Sequence, residues 1–147
     1  ALFSYIQEWF KPLAYALILL RKEGLPCVFY GDYYGIPSQN INPKKEMLEK
    51  LLEARKKYAY GEQIDYFDQN NIIAWVRKGD EMHPKSGLVT IMSDGPGGGK
   101  TINVGSRLAN SIFYDYTGNV QETVYVDQEG NGIFYCNGGS VSVWVKR

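Results

Sequence analysis

The residues with the most obvious chemical potential are SDGPGGGKT, Ser93 to Thr101. A glycine-rich loop closing on Lys-Thr cradles phosphates when it reads G-x-x-x-x-G-K-[ST], because glycine amides surround the anion and the lysine reaches over it. Counting back from Gly99-Lys100-Thr101 puts Asp94 at the first glycine, where a carboxylate would face the phosphates. A phosphate loop also needs a following helix whose N-terminus points at the anion. Ile102-Asn103-Val104-Gly105-Ser106 instead alternates apolar and small polar residues, the pattern of a short strand and a turn. The nucleotide reading fails, and the loop needs another role.

The remaining reactive side chains are scattered. The one histidine, His83, lies in a polar loop, Lys78 to Pro84. Cys27 and Cys136 sit far apart in apolar runs, which favours two buried thiols over a disulfide. Sixteen basic residues balance sixteen acidic ones, so no strong field points to nucleic acid or an anionic membrane. Lys44-Lys45 and Arg55-Lys56-Lys57 read as the solvated side of a helix. The apolar run Leu13 to Leu20 is far short of the roughly 18 residues of a membrane span. Nothing resembling a signal peptide precedes the first helix, and the sequence assigns no compartment.

Twelve tyrosines, six phenylalanines and three tryptophans sit mostly in short alternating segments. Tyr58, Tyr60, Tyr66, Trp75 and Trp144 are candidates for stacking on sugar rings, but aromatics on strands more often pack a core or a neighbouring strand. In Val141-Ser142-Val143-Trp144-Val145 the valines share one face, which makes Trp144 the best exposed candidate.

The elements that must position these groups change character near residue 60. Ile6, Trp9, Phe10, Leu13, Leu17 and Leu20 recur at helical spacing, with Pro12 suited to a first turn and Gly24 to a C-cap. Cys27-Val28-Phe29-Tyr30, bounded by Pro26 and Gly31-Asp32, reads as a parallel strand buried on both faces. A second helix opens near Pro43, with Met47, Leu48, Leu51, Leu52 and Arg55 as its stripe. After Gly61, strands are predicted at Ile64–Phe67, Ile72–Arg77, Leu88–Met92, Thr101–Val104, Ile112–Tyr116, Thr123–Val126, Ile133–Cys136 and Val141–Val145. Turn clusters such as Thr117-Gly118-Asn119 punctuate them, as in an antiparallel Greek-key sandwich. The chain is therefore α+β, and its single parallel strand has no partner of the same type. Residues 1–60 look like the end of a larger α/β sheet.

Trp9 to Ala16, with the run Gly24-Leu25-Pro26-Cys27-Val28-Phe29-Tyr30-Gly31-Asp32-Tyr33-Tyr34-Gly35, resembles the last strand of the catalytic (β/α)8 (TIM) barrel of bacterial liquefying-type α-amylases and the helix before it. Glu53 to Gly61 is similar to the end of the last barrel helix. Ser93 to Gly98 and Asn137 to Val143 resemble the C-terminal β domain of the same enzymes. The match runs in order from end to end. The resemblance implies residues 1–60 as the last barrel elements (helix, eighth strand, helix) and residues 61–147 as a Greek-key β domain.

Such enzymes hydrolyse internal α-1,4 bonds of starch with retention, using a carboxylate nucleophile and a carboxylic acid/base. The resemblance places those carboxylates on earlier strands, so it implies no catalytic residue among the 16 acidic residues here. His83 matches none of the family's substrate-binding histidines. Asp32 falls on the catalytic face of such a barrel; a loop-capping carboxylate is favoured over direct sugar contact. In the relatives the aspartate of the Asp-Gly-Pro-Gly-Gly loop lends its carboxylate to calcium between barrel and β domain. Asp94 stands there, with Asn70 and Asn71 as the corresponding partners where many relatives have His-Asp. Asp94 as the start of a Gly-Pro turn is the other reading, and both stay open.

The expected function is that of the C-terminal part of an α-amylase, completing and stabilising the barrel, with starch or maltooligosaccharides as partners of the parent enzyme. A stand-alone carbohydrate-binding or purely structural β module is the alternative. A lone strand at Val28–Tyr30 should not persist, so the chain should pair with itself, swap elements, or pack this segment unlike the parent barrel. Its expected protein partner is the missing N-terminal barrel portion or a second copy.

Overall fold

The computed structural model describes residues 6–147. A 3-10 turn at Glu8–Phe10 leads into helix α1 (Lys11–Leu19), with Pro12 in its first turn, where no amide donor is required. Ile6 precedes the helix, and the buried face is Leu13, Tyr15, Ala16, Leu19 and Leu20. The short helix α2 (Tyr30–Tyr34) and the longer α3 (Lys45–Tyr58) follow. Leu48, Leu51 and Ala54 form the buried face of α3, while Leu52 turns to solvent. Arg55 donates to the Leu19 carbonyl at 2.6 Å, satisfying one of the free carbonyls at the end of α1.

The predicted strand Cys27–Tyr30 is not one. Residues 25–29 join no ladder, Tyr30 opens α2, and Cys27 is exposed rather than buried. A strand is stabilised by ladders to its neighbours, and this chain supplies none here. The backbone instead runs extended beside α1, where the Phe29 amide donates to the Tyr15 hydroxyl at 3.3 Å.

The eight predicted strands all form: β1 (Gln63–Tyr66), β2 (Ile72–Arg77), β3 (Leu88–Ser93), β4 (Gly98–Asn103), β5 (Ser111–Asp115), β6 (Val124–Val126), β7 (Asn131–Cys136) and β8 (Ser140–Lys146). Six make one antiparallel sheet in the order β1-β2-β3-β8-β5-β6, and β4 pairs with β7 in a second. The fold is mostly antiparallel β with few helices.

The large sheet has a core on each face. On one side Trp75, Leu88, Met92, Val141, Val143 and Val145 pack against α1 and α3. On the other, Val89, Ile91, Phe113 and Trp144 pack with Ile102 of β4 and Phe134 of β7. Because both faces are covered, Trp144 is fully buried, contrary to its expected exposure. Its indole N–H donates to the Tyr135 carbonyl at 3.0 Å, and its ring meets Phe134 edge-on.

Candidate functional site

Strand β4 explains the glycine run. Gly98 and Gly99 belong to the strand, and a Cβ on Gly99 would lie 2.7 Å from the Tyr135 ring. At Gly97 a Cβ would lie 2.6 Å from the Cys136 carbonyl oxygen. Close approach to β7 is what requires glycine. Lys100 is buried and its ammonium is 2.5 Å from Asp68, so the lysine is committed to an ion pair. A strand stands where a phosphate loop needs a helix.

Ahead of that strand the chain brings together the three residues expected around calcium. Asn70, Asn71 and Asp94 line a small cavity of about 120 Å³ beside Phe10, Leu13, Leu17, Ile73 and Met92. The Asp94 amide donates to the Asn71 carbonyl at 3.3 Å. All three side chains are exposed. Ser93 Oγ donates to the Pro96 carbonyl at 2.7 Å and accepts from the Gly95 amide at 3.1 Å, closing the turn by itself. Calcium takes six to eight oxygens, roughly. One carboxylate and two neutral amides are right in type and too few in number. Among the described residues no group of three His, Cys, Asp or Glu side chains gathers to hold a metal.

The carboxylates are equally informative. Among the described residues only Asp32 and Asp115 are buried, and both are committed. Asp32 accepts from Lys11 at 2.7 Å and from the Tyr15 hydroxyl at 2.5 Å. Lys11 also reaches Glu8 at 2.7 Å, and Glu8 in turn pairs with Lys44. The Lys44 amide donates to the Asp32 carbonyl at 2.7 Å, so the cluster ties α1, α2 and the start of α3 together. Burial, reinforced by the Asp32 hydrogen bond, pushes the Tyr15 hydroxyl up to about 12. Burial pulls the Lys11 ammonium down, but the bonds to Asp32 and Glu8 outweigh it and leave Lys11 raised. Periodicity gave no sign of this cluster. Its one clue was Lys11 in the apolar α1 pattern, too buried to be left unpaired.

Asp115 Oδ1 accepts from the Thr117 amide and the Val143 amide, each at 3.0 Å, and Oδ2 accepts from the Val120 amide at 3.0 Å. It holds the turn after β5. Glu46 and Asp94 are exposed and lie on separate elements, Glu46 on α3 and Asp94 in the turn before β4. His83 stacks on Tyr60 at 3.6 Å between centroids and pairs with Asp80 at 2.8 Å. The other aromatic candidates disperse: Trp75 and Trp144 are core, and the Tyr66 hydroxyl accepts from the Asn103 amide.

Sequence comparison decides the family. All 147 residues align at 56% identity with the α-amylase of Geobacillus stearothermophilus and at 54% with the glucan 1,4-α-maltohexaosidase of Bacillus sp. (strain 707). The chain belongs to the α-amylase family of glycosyl hydrolases. It spans 27% and 28% of the length of those two relatives, in their C-terminal part. A family profile described as "Alpha-amylase C-terminal" matches residues 88–145, and one described as "Glycosyl hydrolase family 70" matches residues 4–116. The two profiles overlap on this α-amylase-family chain, and the higher identities over its full length favour the α-amylases. The fold is shared with CldA, a cyclomaltodextrin glucanotransferase with a three-domain ABC distribution, at a TM-score of 0.67 and 19% identity over 94% of this chain and 32% of that one.

Proposed function

We propose that this chain is the C-terminal part of an α-amylase that hydrolyses internal α-1,4 bonds of starch with retention. Residues 1–60 are the last elements of its (β/α)8 barrel and residues 61–147 a Greek-key β domain. The observation that carries the reading is identity of 54–56% along the whole chain against little more than a quarter of each relative. The return of β8 to lie between β3 and β5 supports the Greek-key description. The chain completes and stabilises the barrel, and catalysis belongs to the part of the enzyme it lacks. Asp94, with Asn70 and Asn71, contributes oxygens to a calcium ion whose remaining ligands come from outside the chain.

The apolar surface of the helical part supports a partner. Ile6, Ile18, Leu25, Phe29, Tyr30 and Tyr34 are exposed, and several rim a cavity of about 520 Å³ that also holds Lys11, Tyr15 and Asp32. Exposed apolar side chains gathered around a cavity, as Ile6, Ile18 and Phe29 are, mark an interaction surface. The upstream barrel portion is its occupant in the parent, and self-association is the alternative in isolation. A reducing-sugar assay on starch tests the reading. Retaining hydrolysis requires two carboxyls roughly 5–5.5 Å apart, and the chain alone should release nothing. Co-folding it with the upstream portion of an α-amylase should restore activity. Hydrolysis by the pure chain, abolished by substitution of one of its own carboxylates, would refute the reading.

A further inference from the structure

A cavity of about 330 Å³ opens where the ends of α1, α3 and β2 converge, and its lining is strongly basic. Arg21 and Lys22 follow α1, Arg55 and Lys56 stand near the end of α3, and Arg77 ends β2, with Tyr60 beside them. No carboxylate lines it. Arg21 is matched by Asp65, to which it donates at 2.9 and 3.0 Å, and it lies 3.7 Å from Glu23. Lys22, Arg55, Lys56 and Arg77 have no ion-pair partner among the described residues. The cavity therefore gathers uncompensated positive charge.

Arg77 decides what that charge is for. It is buried, 7% exposed, and its Nε donates to the Gly61 carbonyl at 3.2 Å. Neither terminal nitrogen has a hydrogen-bond partner among the described residues. Burial, and after it the charge of Arg55, holds the guanidinium below the ordinary arginine range; Glu23 and Asp80 pull the other way without reversing it. Cations at helix ends are accounted for by the carbonyls there, as Arg55 shows by donating to Leu19. A buried arginine on a strand has no such account, and an unpaired buried charge is unfavourable until a counter-charge arrives. The planar guanidinium fork matches an oxyanion through two parallel hydrogen bonds, and several uncompensated cations favour a dianion over a single carboxylate. A phosphate group carries about −1.5 to −2 charge at neutral pH and three acceptor oxygens. We propose that this cavity binds one phosphate group, free or on a phosphomonoester, with Arg77 as its forked donor and Arg55, Lys56 and Lys22 supplying charge.

Calorimetric titration of the 147-residue chain with inorganic phosphate, with sodium chloride at equal ionic strength as control, tests this. One phosphate should bind with a dissociation constant on the order of millimolar, and binding should weaken as salt rises. Arg77→Met should weaken it about tenfold or more, and Arg77→Lys, which keeps the charge but loses the fork, should retain part of the affinity. Lys56→Gln, at an exposed side chain where folding is not at stake, should still weaken it by roughly a few-fold. Lys45→Gln, at the opposite end of α3, should change nothing. A second titration separates the two sources of the group. Glucose 6-phosphate binding at least as tightly as inorganic phosphate assigns the site to a phosphorylated sugar, and weaker binding assigns it to the free ion; either supports the site. Absence of phosphate binding overturns the proposal, as does a response that chloride reproduces equally. Binding that survives both Arg77→Met and Lys56→Gln, or that Lys45→Gln abolishes, overturns it as well.

Discussion

The helices and the strands of this chain are stabilised in different ways. The β part closes on itself: Val89, Ile91, Ile102, Phe113, Phe134 and Trp144 are all fully buried between the two sheets. The helical part buries one side against the large sheet and leaves Ile6, Ile18, Leu25, Phe29, Tyr30 and Tyr34 facing solvent. What fixes its outer side is mainly polar, the Glu8–Lys11–Asp32–Tyr15 cluster. One face of the large sheet is sealed by strands of the same part and the other by the helices, whereas the outer side of the helices keeps an apolar face open beside the ion cluster.

The sharpest way to break this comparison is Trp144→Ala. The indole is fully buried, so truncation should cost about 3–5 kcal/mol in urea unfolding. A loss below about 1 kcal/mol would mean the β core is no better sealed than the helical part. Asp32→Ala is the matching test on the other side. It leaves the Tyr15 hydroxyl without its acceptor and Lys11 with Glu8 alone, at a cost of about 1–3 kcal/mol. Hydrogen exchange should then speed up in residues 11–34 while the strands stay protected. Equal loss of protection in β2, β3 and β8 would make the two regions one cooperative unit.

A pH titration sharpens the contrast more gently. The folded state raises Tyr15 from 10.0 to about 12, so it favours the neutral hydroxyl. That contribution is complete below the unfolded value near 10.0 and is lost as pH rises toward 12, because the unfolded chain ionises first. Tyr15→Phe should lower stability at neutral pH yet flatten the alkaline decline. Tyr33, Tyr58 and Tyr116 are also raised and should leave a residual slope. An unchanged slope would place the alkaline sensitivity outside the cluster. The smallest effect expected is that of calcium, which should raise the melting temperature slightly through its preference for the folded state. Asp94→Ala should remove that rise; strong stabilisation surviving the substitution would put the ion elsewhere.

The sequence by itself determined the strands, because alternation and turn chemistry are local. Each run such as Ile72–Arg77, with Lys78-Gly79-Asp80 after it, carries its own instructions. It also determined α3, through the spacing of Leu48 and Leu51, and the family, through ordered motifs from Trp9 to Val143. The candidate calcium residues were legible only through that resemblance, and the chain does bring Asn70, Asn71 and Asp94 together. Only the tertiary structure decided the rest. Val28 and Phe29 have a strand's composition but no strand beside them, and a ladder is a property of neighbours. Alternation put Ser142 and Trp144 on one face and could not say that β4 and β7 would cover it; both are buried, and Ser142 Oγ finds no hydrogen-bond partner among the described residues. The Lys11–Asp32–Tyr15 cluster joins residues 17 and 21 positions apart, a distance over which no local pattern carries information. Charges meet there because packing α1 against α2 removes water from both, and each buried charge must then find its opposite.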